Sequence, residues 1–250
     1  SEEQITPRKI NNIRKDFSNL LKHKKISPYL LEKTASNCLR LDLVSKVFPK
    51  SKFIHIIRDG RDVAVSTRKK YFGDIRKISS QKTLTENSKN RFINFFDEIN
   101  HKIRNGLTLL MLVSNSYRYL RMSLVLLGIK KRDFWGPRFR GYKKLYNSKS
   151  LIEVASEQWK YSVISVLDFF KKNPKKNCLT VRYEELIKNP DEEILKIMKF
   201  VLDAESFSRD KIKHEIKTSG FSKWDEVLSD HEIKLVNKII SNLLTKLKYE

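Results

Sequence analysis

An arginine at the end of an apolar run and a serine eight residues beyond it are the side chains of this sequence best suited to holding an anion. The run is Lys52 to Ile57, KFIHII, followed by Arg58, the pair Asp59 and Gly60, and a helical stretch from Asp62 to Lys70. Read as strand, tight turn and helix, it puts Arg58 at a strand's carboxyl end and Ser66 about one turn into the next helix. Both then face the place where open α/β sheets bind ligands. A guanidinium offers phosphate a planar pair of donors and the hydroxyl offers another, while a helix start adds free N–H groups and a positive dipole. Each residue alone also has an ordinary explanation: an arginine after a strand is commonly solvated, and a helical serine commonly bonds its own backbone.

Those residues need a frame, and the hydrophobic pattern supplies one. Ile10, Ile13, Phe17, Leu20 and Leu21 predict a helix over Ile10 to Leu21, and Leu39, Leu43, Val44 and Val47 another over Asn37 to Phe48, closed by Pro49. The short run Tyr29 to Leu31 between them reads as a buried strand, and Lys52 to Ile57 as a parallel strand covered on both faces. Asn177 to Tyr183, NCLTVRY, predicts a third strand. Helices are expected over Ser156 to Lys171, Asp191 to Val201 after Pro190, and Ser229 to Leu247. Such alternation implies an α/β fold, a central parallel sheet flanked by helices in three layers. A single domain over 1–250 is expected, with the basic, mostly helical stretch 72–150 inserted as a lid or acceptor-binding face.

Composition narrows the function classes. With 250 residues, 40% of them hydrophobic, the chain buries a sizeable core, and seven glycines with six prolines argue against a low-complexity chain. The formal net charge of +23 makes a polyanionic partner the first to consider. Lysine spread over almost every segment has an equally weighted explanation in compositional bias. Cys38 and Cys178 stand far apart with no metal-ligand spacing, which leaves them as core thiols. The apolar stretch Gly106 to Gly128 is interrupted by Asn115, Arg118 and Arg121 and fails as a membrane span. The sequence opens on Ser1 with charged residues and no apolar leader, which suggests an incomplete N-terminus and leaves a removed anchor open.

Two stretches carry a family resemblance. EKTASN at Glu32 to Asn37, followed by FPKSKFIHIIRDGRDVAVS at Phe48 to Ser66, resembles the segment of sulfotransferases that use 3′-phosphoadenosine 5′-phosphosulfate (PAPS), with their P-loop NTPase-like fold. The resemblance implies that Arg58 and Ser66 hold the 3′-phosphate and that Lys33, on the upstream strand, stabilises the leaving group as the catalytic lysine. VRYEEL at Val181 to Leu186 is similar to the family strand whose tyrosine, here Tyr183, approaches the adenine. SKWDEVLS resembles the late loop that closes over the nucleotide, making Lys223 and Trp224 further candidates. Singly, Tyr183 and Trp224 read equally well as packing aromatics.

Two departures accompany these matches. The family's phosphate loop, which binds the 5′-phosphosulfate, has no counterpart before Glu32, where there is no glycine, and GPRFRGYKK from Gly136 imitates it only by coincidence. Ala35 stands where the cytosolic branch carries histidine, and no other histidine is singled out as the base; His55 reads as structural. The resemblance therefore implies sulfuryl transfer from PAPS to a hydroxyl or amine of a carbohydrate, lipid or peptide, without a metal. Its alternative is a non-catalytic nucleotide- or glycan-binding relative lacking the loop. A nucleic-acid module, suggested by charge alone, ranks last because it leaves the ordered motifs unexplained. Small-molecule or glycan acceptors are the expected partners, nucleic acid is not, and the expected compartment is the cytoplasm, or the Golgi lumen if an anchor precedes Ser1.

Overall fold

The computed structural model describes residues 6–22, 30–80, 136–174, 177–203, 207 and 224–249. The chain divides into two compact units, one of residues 1–67 with 136–250 and one of residues 68–135. Most of the expected insertion, including the apolar stretch Gly106 to Gly128, lies outside the described residues, as do Tyr29, Lys223, His23, His101 and His214.

The first unit starts with α1 (Pro7–Lys22), a short 3-10 turn (Ala35–Leu39), α2 (Leu41–Val47) and β1 (Phe53–Ile57). Helix α3 (Gly60–Ser80) leaves this unit. The chain resumes with α4 (Tyr142–Ser148), α5 (Leu151–Lys172), β2 (Cys178–Arg182), α6 (Tyr183–Lys188), α7 (Pro190–Leu202) and α8 (Asp230–Lys246). The architecture is α/β and mostly helical, with a parallel sheet flanked by helices. β1 and β2 pair in parallel, Phe53 opposite Cys178 and Ile57 opposite Arg182. Parallel neighbours require a crossover, so the whole stretch from α3 to α5 lies between two strands that touch.

Burial follows the apolar stripes. Helix α5 buries Ile152, Val154, Ala155, Trp159, Val163, Val166 and Phe169, and α8, packed against it, buries Val236, Ile240, Leu243 and Leu244. Phe53 of β1 meets Phe169 edge to face at 5.2 Å between ring centroids. Both long helices start with a serine capping box, Ser150 with Glu153 and Ser229 with Glu232, which satisfies N–H groups that would otherwise lack partners. Other ends are held by distant cations. Arg14 of α1 donates to the carbonyls of Val47 and Lys46 at the end of α2, at 2.8 and 2.9 Å. Lys52 donates to the carbonyls of Phe200 and Val201 and pairs with Asp203 beyond the end of α7.

Several expectations are corrected. No strand forms around Leu30 and Leu31, which are 50% and 86% exposed, and residues 30–34 belong to no helix or strand. An apolar run becomes a strand only where a neighbour takes its backbone hydrogen bonds, and among the described residues none lies beside it. The sheet described is thus two-stranded rather than three-stranded. Asn37 to Phe48 breaks into a 3-10 turn and α2 at Arg40, whose φ of −146° is not helical. β1 is not covered on both faces, since Ile56 is 52% exposed. Tyr183 is the first residue of α6 rather than the last of a strand, α3 begins at Gly60 rather than Asp62, and the two cysteines are half-buried and not joined in a disulfide.

His55 stays structural. Its Nδ1 is buried in mid-strand without a hydrogen-bond partner, and its ring lies edge-on to Phe170 at 6.2 Å. Burial lowers its pKa to about 4, so the folded chain holds it neutral while the unfolded chain binds a proton near the ordinary value. Between those two values the unfolded state takes up more protons, so stability falls as pH falls. Urea titrations should show about 2 kcal/mol lost between pH 7 and pH 5 through this residue, and His55→Leu should remove that part of the slope. An identical pH slope in the variant would contradict the assignment.

Candidate active site at the carboxyl end of the sheet

The chain leaves β1 through Arg58 and Asp59 and enters α3 at Gly60, and the peptide joining Arg58 to Asp59 is fixed from both sides. Its carbonyl accepts from Trp159 Nε1 of α5 at 3.0 Å, and its N–H donates to Glu184 Oε1 of α6 at 2.8 Å. Asp59 turns back on Arg61, accepting from its backbone N–H at 2.8 Å and from Nε and Nη2 at 3.1 and 2.7 Å. Both residues are 8% exposed, and a charge pair that buried holds only because it is fully hydrogen-bonded. Gly60 is required for this approach: a Cβ there would come within 2.7 Å of the Trp159 ring and 2.8 Å of Ile240 Cδ1. Gly60→Ala should therefore lower the urea midpoint by the equivalent of about 1–3 kcal/mol, as overpacking does, and an unchanged midpoint would refute the close fit.

Arg58 projects from this fixed peptide into a cluster of its own. Its Nη2 donates to Asp62 Oδ2 at 3.2 Å, and its guanidinium lies over the Tyr183 ring at 4.9 Å. The other Asp62 oxygen accepts from the backbone N–H of Trp224 at 3.0 Å, and the Arg61 guanidinium stacks on the Trp224 indole at 4.2 Å. Burial raises the Asp62 carboxyl, which the Arg58 charge and hydrogen bond oppose. Ser66 follows Asp62 by four residues and so lies one turn on along the same face of α3, exposed.

Of the residues singled out by sequence, Arg58, Tyr183 and Trp224 thus come together about the start of α3, although 166 positions separate Arg58 from Trp224 (224 − 58). Ser66 stands on the adjoining turn. Lys33 lies exposed on the irregular stretch 30–34. Glu32 next to it accepts from Thr34 Oγ1 and Asn37 Nδ2, which closes the EKTASN segment on itself. Trp159, Glu184, Asp59 and Asp62 were not foreseen. Trp159 reads as one more apolar residue of an amphipathic helix, and only its indole N–H, a buried donor in need of an acceptor, hints at more. An open hollow of about 480 Å³ lined by Ser51, Lys172 and Asn177 lies at the opposite, amino-terminal end of the strands and takes no part in this cluster.

Residues 4–105 match the model of the sulfotransferase family. The segment belongs to the sulfotransferase family. No curated protein and no solved structure matches the chain. The sulfotransferase segment contains Lys33, Arg58 and Ser66, whereas Tyr183 and Trp224 lie beyond it and join its arginine only through the fold. That match, over 102 of the 250 residues (4–105), supports a sulfotransferase-type function. Among the described residues there is no group of side chains that could hold a metal ion and no helix long and apolar enough to cross a membrane.

Proposed function

We infer that this chain binds PAPS through its 3′-phosphate and serves sulfuryl transfer from it to a hydroxyl or amine. The observation that carries the reading is the Arg58 cluster: a guanidinium at a strand's carboxyl end, backed by a fixed peptide, with a hydroxyl one helical turn beyond its carboxylate partner. A guanidinium presents its five donors in a planar fork, a geometry that suits phosphate as well as the Asp62 carboxylate it meets. Tyr183 and Trp224 add aromatic faces beside the two arginines, suited to an adenine. In-line sulfuryl transfer resembles phosphoryl transfer in that positioning and charge neutralisation lower the barrier. Lys33 would supply charge at the 5′ end, where the leaving phosphate develops it.

Carbohydrate, lipid or peptide acceptors all remain compatible with the strongly basic chain, and no side chain is assigned as the base. The exposure of Lys33, on a stretch that is not part of the sheet, favours a second reading, nucleotide binding without transfer. Both readings share the 3′-phosphate. Calorimetry should show adenosine 3′,5′-bisphosphate binding at least about tenfold more tightly than adenosine 5′-phosphate, the scale of a charged hydrogen bond. Equal affinities would sink both. Transfer of a radiolabelled sulfuryl group from PAPS onto added acceptors, with release of adenosine 3′,5′-bisphosphate, separates transfer from binding alone.

A further inference from the structure

The segment that follows α8 reaches back to the Arg58 turn. The Tyr249 hydroxyl donates to Glu184 Oε2 at 3.1 Å, and the other oxygen of that carboxylate holds the Asp59 N–H. Tyr249 is only 9% exposed, and Arg182 stacks on its ring at 4.2 Å while donating to the carbonyls of Leu247 and Lys248. Arg182 is the last residue of β2 and Glu184 the second of α6, so the contact spans 65 positions between Glu184 and Tyr249. Burial and the neighbouring Glu184 carboxylate push the phenol well up, which keeps it a donor throughout the physiological range.

We propose that Leu247 to Tyr249 form a clasp, with Glu184 and Tyr249 as positioning residues that set the Arg58–Asp59 peptide and thereby aim Arg58 at the nucleotide's 3′-phosphate. The physical content is a relay of two hydrogen bonds through one carboxylate. A carboxylate with a free second oxygen rotates about its last torsion, which is broad. Tyr249 removes that freedom, so Glu184 presents Oε1 to Asp59 in one orientation. Trp159 secures only the carbonyl of the same peptide, and a peptide pinned at one end still tilts. A tilt at this position swings the Arg58 side chain that follows from it. The clasp acts through the Arg58–Asp59 peptide, so its effect should be confined to interactions that depend on where the guanidinium points.

The proposal rests on the 3′-phosphate reading above, and the experiment separates the two. Titrations of the full chain with adenosine 3′,5′-bisphosphate and adenosine 5′-phosphate would be run on wild type, Arg58→Ala, Tyr249→Phe, Glu184→Ala and Glu184→Gln. Tyr249→Phe keeps the ring on Arg182 and removes only the hydroxyl, so the fold stays intact. It should weaken the bisphosphate about threefold, and Glu184→Ala about tenfold, each leaving adenosine 5′-phosphate within about twofold of wild type. Glu184→Gln retains an oxygen for the Asp59 N–H and an amide to meet the phenol oxygen, and should restore bisphosphate affinity to within about twofold. Equal loss for both nucleotides, or no rescue by glutamine, would mark a general structural role and overturn the clasp. If Arg58→Ala weakens the bisphosphate and the Tyr249 and Glu184 variants do not, the clasp alone falls. If Arg58→Ala has no effect, the 3′-phosphate reading and the clasp fall together.

Discussion

Arg58→Ala is expected to weaken adenosine 3′,5′-bisphosphate binding by about 1.5–3 kcal/mol, roughly ten- to a hundredfold, while adenosine 5′-phosphate binding changes little. The magnitude comes from charge-assisted hydrogen bonds, which exceed neutral ones because the donor already carries the charge. The specificity of the loss comes from geometry. Arg58 is backed by Trp159 and Glu184 through its own peptide, so its removal deletes a held donor, not a mobile surface charge. Two side effects accompany the substitution. Asp62 loses its cation yet keeps the Trp224 N–H, so its carboxylate stays partly buried with one partner fewer. Tyr183 loses the guanidinium from its ring face. Arg58→Lys should rescue only part of the affinity, because an ammonium lacks the planar pair of donors. Calorimetry on the three proteins decides the matter, and full affinity in the alanine variant would remove Arg58 from the site.

Trp159→Ala should cost about 3–5 kcal/mol of folding stability, the range for truncating a buried aromatic, read as a shifted urea midpoint with an unchanged slope. Trp159 is 6% exposed and lies in the tight contact that also includes Gly60 and Ile240. Truncation therefore opens a cavity between α5, α8 and the start of α3. The same change orphans the Arg58 carbonyl. Trp159→Phe separates the two effects, since it fills most of the space and lacks the N–H. Its expected cost is about 1–3 kcal/mol for the unsatisfied carbonyl, together with weaker nucleotide binding because the peptide after Arg58 loses a tether. A phenylalanine variant with wild-type stability would show that the indole N–H contributes only through packing.

The two substitutions test different layers of one arrangement. Arg58 would act on the nucleotide directly, whereas Trp159 acts on Arg58. The buried Asp59–Arg61 pair lies between them in the turn, and Arg61 in turn faces Trp224. Every residue from Arg58 to Asp62 thus has a fixed neighbour, and the first turn of α3 is held more by side chains from α5, α6 and the Trp224 segment than by its own short-range geometry. Such a turn presents its donors in place before a ligand arrives, which spares the ordering cost at binding.

Local pattern was enough for the strand Phe53–Ile57, for the long amphipathic helices, and for the order of Lys33, Arg58, Ser66, Tyr183 and Trp224 along the chain. Period and chain order are properties of neighbouring residues, so they survive without a tertiary context. The apolar run at Leu30 and Leu31 did not become a strand, because pairing depends on a partner that no local pattern supplies. Tyr183 moved from strand end to helix start for a similar reason, since an element boundary is settled by which backbone groups find partners. The tertiary structure alone decided that Arg58 meets Tyr183, that Asp62 bridges Arg58 to Trp224, and that Trp159, Glu184 and Tyr249 converge on one peptide. Contacts of this kind join residues as much as 163 positions apart (224 − 61), and only the tertiary fold, with its parallel pairing of β1 and β2, brings such distant residues into reach.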